Sequence, residues 1–146
     1  MKLSKVVCTF EEKFAIRKFF NNKTIASFKL IYRASENEFS IQKFHQKCDG
    51  VANTLTVIWT EFDRKIGGFT PLKWDISNSY GVDNSKESFI FSLTHNDKFT
   101  LQNPEKAIYN GQSYGPIFGD GHDLLVYDKS NTSNSSYANI CHSYHN

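Results

Sequence analysis

The sequence predicts an α+β protein that is mainly β: a two-sheet antiparallel β-sandwich with flanking helices. Two segments, residues 9–20 and 40–48, have the periodicity of amphipathic helices and begin at helix-capping residues. After residue 50, short alternating segments follow one another closely with turn residues between them, which is typical of antiparallel strands. The chain has 146 residues, 39% hydrophobic and 15% aromatic, which is sufficient for one compact core.

The first helix is predicted from its capping residues. Thr9 and Glu12 have the spacing of a capping box, in which each side chain bonds the other residue's backbone N–H. Phe10 and Phe14 then fall on one helical face. We expect this helix to end at Phe20, before two asparagines.

A strand and a second helix are predicted next. Apolar and polar residues alternate over Ser27 to Arg33, which predicts a strand. Ser40 is then a good N-cap, the apolar residues that follow it share helical spacing, and Gly50 ends the helix.

The remaining chain is predicted to be strands. The pair Gly67–Gly68 indicates a bulge or a close backbone approach. The segments KAIYN and SYGPIF are expected to be short edge strands. In order, the predicted strands are NTLTVIWTEF, RKIGGFTPLKW, ESFIFSL, KFTLQ, KAIYN, SYGPIF, HDLLVYD and Ser136 to Tyr144.

The charge pattern argues against a nucleic-acid partner. Seventeen basic and fifteen acidic residues give a net charge of +2 with interspersed signs, whereas nucleic-acid-binding domains carry a clustered basic face. The local excess Lys13, Arg17, Lys18 and Lys23 is interpreted as a solvated helix face.

Cysteine usage and hydropathy predict a cytoplasmic protein. Cys8, Cys48 and Cys141 form no CxxC pair and are odd in number, which favours reduced thiols. The N-terminal residues are a poor signal peptide, and no apolar run approaches the roughly 20 residues that span a bilayer. We therefore expect no membrane insertion.

No cofactor and no metal are predicted. GPIFGDGHDL lacks the Lys-Ser/Thr and the following helix of a phosphate loop. The calcium-like series from Asp128 to Asn134 lacks the Gly and Glu of an EF-hand. A zinc set of His45, Cys48, Cys141 and His142 has no known zinc spacing.

Nucleophilic catalysis stays open as an alternative. Cys48 or Ser35, with His45 or His122 as base, would supply a nucleophile and its activator. A cysteine on an apolar helix face is more often a core residue.

The ordered motifs of the chain resemble the TLDc domain, the TLD domain of oxidation-resistance proteins. The similarity extends over about Ile25 to Tyr144. The matching motifs are Tyr32-Arg33-Ala34-Ser35, Phe39-Ser40, Phe44-His45, Cys48-Asp49, Thr54-Leu55-Thr56, Gly67-Gly68-Phe69-Thr70, Phe91-Ser92-Leu93, and a final motif that includes Gly115, Pro116, Gly119, Gly121, His122 and Asp123.

The resemblance implies a two-sheet sandwich in a cytosolic protein linked to resistance to oxidative stress. It also implies binding of the vacuolar proton-pumping ATPase (V-ATPase). A catalytic or redox role has been considered in the family for the region that corresponds to Ser35, His45 and Cys48. On this basis residues 1–24 are predicted to form an N-terminal helical segment, and residues 25–146 a TLDc-like domain.

One departure from the family concerns the end of the domain. Family members usually close with a further strand after the Ser-Tyr that matches Ser143-Tyr144, and no such segment follows here. Either the chain is a truncated piece or the protein is a shortened member. We expect an unpaired sheet edge, with lowered stability or recruitment of a partner.

The function predicted from the sequence is therefore protein interaction, with V-ATPase as the partner. Two rivals remain: a redox or hydrolytic enzyme that uses Cys48 with His45, and an adaptor for other cytosolic proteins. The glycine-rich stretch from Gly115 to Leu124 is interpreted as a turn that leads into a strand.

Overall fold

The computed structural model describes residue 7, residues 9–21, residue 23 and residues 27–146. These residues form two α-helices and two antiparallel five-stranded sheets, which confirms the predicted mainly β sandwich. The elements are α1 Phe10–Phe19, α2 Ile41–Cys48, β1 Thr54–Trp59, β2 Lys65–Thr70, β3 Ser79–Gly81, β4 Phe89–Ser92, β5 Asp97–Leu101, β6 Ile108–Asn110, β7 Ile117–Phe118, β8 Leu124–Leu125, β9 Tyr137–Ala138 and β10 Tyr144–His145. The first sheet has the order β1-β2-β4-β5-β10 and the second β3-β6-β7-β8-β9.

The main core lies between the two sheets. Ile90 and Leu101 of the first sheet pack with Ile108, Phe118 and Leu124 of the second. Because side chains alternate along a strand, the neighbours of Ile90 point to the other face of the first sheet. That outer face has a core of its own.

Helix α1 covers this outer face. Its Ala15 and Phe19 pack against Phe69, Phe89 and Phe91 of β2 and β4. The predicted capping box is confirmed, since Thr9 accepts from the Glu12 N–H and the Glu12 side chain accepts from the Thr9 N–H.

Helix α2 contributes to the core between the sheets. Its N-cap is Ser40, as predicted, and its Phe44 and Cys48 pack with Trp74. The indole Nε1 of Trp74 donates to the Thr54 hydroxyl at 2.8 Å, so the one polar atom of this large side chain is satisfied.

The pair Gly67–Gly68 makes a close approach and not a bulge. The β1–β2 register runs without interruption through both glycines. A Cβ on Gly67 would overlap the Thr56 carbonyl oxygen, and one on Gly68 would lie 2.7 Å from the Phe118 ring. Gly68 thus lets a side chain of the second sheet lie directly on the backbone of the first.

The predicted strand from Ser27 to Arg33 is wrong. This segment has no strand pairing, although the side chain of Tyr32 is anchored. Tyr32 packs edge-on against Phe44 and donates its hydroxyl to the Ser40 carbonyl at 3.2 Å. Side-chain anchoring to the second helix thus replaces a backbone ladder.

The prediction of edge strands is also wrong. KAIYN forms β6 and SYGPIF forms β7, and both lie inside the second sheet, whose edges are β3 and β9. The segment from Ser136 to Tyr144 is not one strand, because it supplies β9 to the second sheet and the start of β10 to the first.

The edge at β5 is only partly covered. Tyr144 and His145 of β10 pair with Leu101 and Thr100. Within the described part of the chain, no strand pairs with Asp97 to Phe99 on that side. Whether this edge lowers stability or recruits a partner stays a prediction.

The predicted division into an N-terminal segment, residues 1–24, and a domain, residues 25–146, also stays a prediction. The boundary between residues 24 and 25 lies outside the described residues.

Candidate functional site

Cys48, the predicted candidate nucleophile, is part of the core. It is 4% exposed. Burial, reinforced by the nearby Asp49 carboxylate and opposed by Lys47, raises the pKa of the thiol to about 12. The thiolate is the reactive form of cysteine, so this environment disfavours the nucleophile.

His45 is held between two acceptors. Its Nδ1 lies 2.8 Å from Oδ1 of Asp49, and its Nε2 lies 3.0 Å from the carbonyl oxygen of Tyr114. Because a carbonyl oxygen only accepts, Nε2 carries the proton of that hydrogen bond. The ring therefore ties the end of α2 to the loop that precedes β7.

Ser35 forms no hydrogen bond with His45 or Cys48 among the described residues. It is exposed on a short 3₁₀ turn, Ala34–Glu36, beside an ion pair of 2.8 Å between Arg33 and Glu36. No hydrogen bond joins Ser35, His45 and Cys48 to one another among the described residues. A catalytic role for these three side chains stays a prediction.

The glycine-rich motif forms the turn between β7 and β8. Gly119, Gly121 and His122 have φ values of 84°, 64° and 60°, all in the left-handed region. Two glycines adopt this conformation without steric cost, whereas it strains a histidine. Before the turn, Gly115 and Pro116 pair with Val126 through backbone hydrogen bonds of 2.9 and 3.1 Å.

Asp123 of this motif is a buried structural carboxylate. Its side chain is 0% exposed and accepts four backbone hydrogen bonds. Oδ1 accepts from Cys141 and His142 at 2.9 and 2.8 Å, and Oδ2 from Ser143 and Tyr144 at 2.7 and 3.2 Å. Four N–H donors stabilise the buried carboxylate, and the segment that begins β10 is fixed to the turn.

A polar cluster on the second sheet was not predicted. Asp120 accepts from Lys106 at 2.7 Å and from Tyr80 at 3.0 Å, and the hydrogen bond from Lys106 leads the lowering of the Asp120 pKa. Burial, followed by the bond to Asp120, raises the pKa of Tyr80 to about 12. The sequence does not reveal this cluster, because the partners of Asp120 are 14 and 40 residues away from it along the chain.

His122 packs among aromatic rings beside this cluster. Its ring centroid lies 5.8 Å from Tyr109 and 6.3 Å from Tyr114. Burial lowers the pKa of His122, and the nearby Asp120 carboxylate opposes that effect. The arrangement is a half-buried group of aromatic rings around His122.

The described residues contain no group of three or more His, Cys, Asp or Glu side chains placed to hold a metal ion. Asp128, considered as a calcium ligand, instead accepts the N–H of Ile41 at 3.1 Å, at the start of α2.

Cys141 is exposed, Cys48 is buried, and Cys8 lies outside the described residues. No helix in the described part of the chain is long and apolar enough to cross a membrane.

Comparison with known proteins agrees with the resemblance of the motifs. No curated protein matches the chain. The family model for the TLDc domain matches residues 1–146, which is the whole chain. The two-sheet fold and the structural use of the Gly115 to Leu124 motif agree with this match, and the chain belongs to the TLDc domain family.

Proposed function

We propose that this chain is a protein-interaction module that binds V-ATPase in the cytoplasm and so contributes to resistance to oxidative stress. The observation that carries the proposal is the match of the TLDc family model to the whole chain. The family supports an oxidation-resistance type of module that acts through protein contacts.

The chemistry of the candidate nucleophile supports binding over turnover. A nucleophilic cysteine needs a low thiol pKa and access to solvent. Cys48 has the opposite properties, because it is buried in the core and its pKa is raised. Both nitrogens of His45 are engaged by Asp49 and Tyr114, and no hydrogen bond joins His45 to the thiol among the described residues.

Direct binding tests the proposal. The chain, tagged at its N-terminus to leave β10 unaltered, is immobilised and exposed to a lysate that contains V-ATPase, and captured pump subunits are detected by immunoblot. Purified V-ATPase is then tested alone by biolayer interferometry. We expect saturable binding in both formats, and recovery of no pump subunit in either would overturn the proposal.

A cysteine variant separates interaction from redox chemistry. We expect Cys48→Ser to keep both pump binding and protection of cells against peroxide, once its folding is checked by circular dichroism. Loss of protection with retained pump binding would favour the enzymatic rival.

A further inference from the structure

Two pairs of tyrosine rings lie side by side at the second sheet. Tyr80 of β3 and Tyr109 of β6 are directly opposite in the strand register, and their ring centroids are 5.1 Å apart. The ring centroids of Tyr114 and Tyr127 are 5.6 Å apart. The two pairs meet at Gly111, where an added Cβ would lie 2.7 Å from the ring of Tyr114 and 2.9 Å from that of Tyr109. We call Tyr80, Tyr109, Tyr114 and Tyr127 the tyrosine row.

The tyrosine row has one end at the surface. Tyr127 is 38% exposed, whereas the other three members are half-buried. Aromatic rings whose centroids lie less than about 7 Å apart are in contact. An electron passes readily between rings in contact, because tunnelling weakens steeply with distance. An electron hole that an oxidant in solution forms on Tyr127 can therefore move along the row to Tyr80.

The Tyr80 end of the row has a proton acceptor. The Tyr80 hydroxyl donates to Oδ1 of the Asp120 carboxylate at 3.0 Å. Burial, followed by this bond, raises the pKa of Tyr80 to about 12, so the phenol keeps its proton at neutral pH. A phenol that loses an electron becomes a very strong acid and must release that proton. Oxidation of a tyrosine is therefore easiest where a base already holds the hydroxyl proton.

Tyr80 differs in this respect from the other tyrosines of the chain. In the hydrogen bonds of the described residues, a carboxylate accepts from the Tyr80 hydroxyl, whereas backbone carbonyl oxygens accept from the hydroxyls of Tyr32, Tyr109, Tyr137 and Tyr144. A carboxylate takes up a proton far more readily than an amide carbonyl does. A tyrosyl radical is therefore most stable at Tyr80.

Lys106 modifies this acceptor without removing it. Its Nζ donates to Oδ2 of Asp120 at 2.7 Å and leads the lowering of the Asp120 pKa, but the oxidised phenol is still much the stronger acid. The same Nζ lies 5.0 Å from the centroid of the Tyr80 ring and disfavours a positively charged ring, so the electron and the proton leave Tyr80 together. The Asp120 side chain is 41% exposed, so the proton passes on to water and the ion pair with Lys106 forms again.

We propose that the tyrosine row is a site of one-electron oxidation and that the radical comes to rest at Tyr80, with Asp120 as the proton acceptor. The co-reactant is a small diffusing radical oxidant, which takes one electron from Tyr127 and is reduced. Each ring is restored by an electron from the next ring. The net change is one electron to the oxidant and one proton from the Tyr80 hydroxyl to Oδ1 of Asp120, which leaves a neutral Tyr80 radical. The inference goes beyond V-ATPase binding and does not depend on it.

The test uses the whole chain, with its accessible cysteines alkylated in advance. Tris(bipyridine)ruthenium(III), generated by light in the presence of persulfate, supplies the one-electron oxidant. A nitroso spin trap bonds to tyrosyl radicals, and mass spectrometry of tryptic peptides measures the adduct at each tyrosine. We expect an adduct at Tyr80, and its absence would overturn the proposal.

Two variants test the proton acceptor. Asp120→Asn should lower the adduct at Tyr80 at least about tenfold, because an amide does not take up the proton. Lys106→Gln removes the other partner of Asp120 but leaves the carboxylate, so it should retain the Tyr80 adduct. Unequal access of the trap cancels, since the same residue is compared in each protein, and melting curves check folding. An unchanged adduct in Asp120→Asn, or an equal loss in Lys106→Gln, would contradict the role of Asp120.

A further pair of variants tests the row itself. Tyr114→Phe keeps a ring in place but interrupts the row, because phenylalanine is much harder to oxidise than tyrosine. We expect the adduct at Tyr80 to fall and the adduct at Tyr127 to rise. Tyr137→Phe is the control, since Tyr137 is 46% exposed and lies outside the row, and it should change neither adduct. A Tyr80 adduct that Tyr114→Phe leaves unchanged would overturn the proposed path.

Discussion

Gly119 lies against the carboxylate of Asp123, so that a Cβ built on Gly119 would overlap Oδ2. The same oxygen accepts the N–H groups of Ser143 and Tyr144. The glycine therefore has two structural duties, a left-handed backbone and room for a buried carboxylate. This contact explains why residue 119 is a glycine. The left-handed backbone and the space for the carboxylate can be tested separately by substitution.

Gly119→Ala should destabilise the protein by about 3 kcal/mol or more, because left-handed strain and overlap with Asp123 add together. Gly50→Ala is the matched control. Gly50 has φ of 76°, close to the 84° of Gly119, but a Cβ added to Gly50 would meet nothing within 4 Å. We expect Gly50→Ala to lose about 1 kcal/mol. Urea unfolding measures both, and equal losses would show that the carboxylate contact is unimportant.

Asp123→Asn should lower the free energy of unfolding by about 3 kcal/mol, since the amide NH₂ would face backbone donors in a fully buried site. The exposed Asp97 provides a control, and Asp97→Asn should change stability by less than about 0.5 kcal/mol. Hydrogen exchange at residues 141–144 should quicken selectively in Asp123→Asn. Unchanged exchange at these residues would contradict the role assigned to the Asp123 carboxylate.

Asp83 should contribute to the acid sensitivity of the fold. Burial alone would raise its pKa, but hydrogen bonds from Ser85 and Ser88 outweigh burial and hold the pKa below the ordinary 3.8. A carboxyl group whose pKa is lower in the folded state than in the unfolded state stabilises the fold at every pH above its unfolded-state pKa. That contribution disappears as the pH falls through the lower, folded-state pKa.

Asp83→Asn should therefore be less stable than the wild type at pH 6 by about 1–2 kcal/mol, and the gap should narrow below about pH 4. Urea unfolding between about pH 3 and about pH 6 measures the gap at each pH. A gap that stays constant across this range would contradict the assignment to the Asp83 carboxylate.

The two described cysteines should differ in reactivity. Iodoacetamide should label the exposed Cys141 at least about 100-fold faster than Cys48, whose pKa is raised to about 12. Mass spectrometry of tryptic peptides reads each site separately. In denaturant the rates should converge, and comparable rates in the native protein would reopen a redox role for Cys48.

Local signals in the sequence were sufficient for the helices. Thr9 and Ser40 cap them through bonds to residues only three positions away, so the pattern is visible in a short window. Strand placement failed where it depends on distant pairing. Ser79, for example, enters a strand only because Asn110 lies opposite, and nothing near Ser79 indicates it.

The functional-site residues show the same contrast between local signals and distant contacts. The motif marked Asp123, but the role of this residue was not predictable, because its partners are backbone N–H groups about twenty residues downstream. Backbone donors are present in every residue except proline and leave no trace in the sequence. Phe10 and Phe14 were placed on one helical face correctly, yet the sequence did not reveal that this face is exposed.

The hydrogen bonds of Asp123 also impose an order on biosynthesis. During translation the strands of both sheets up to β8 leave the ribosome before residues 141–144, which supply the four N–H donors. Until those residues emerge, the Asp123 carboxylate has none of these donors and β5 has no β10 beside it. The nascent domain therefore cannot reach its native state until residues 141–145 have left the ribosome, because the Asp123 carboxylate and the strand β5 need them.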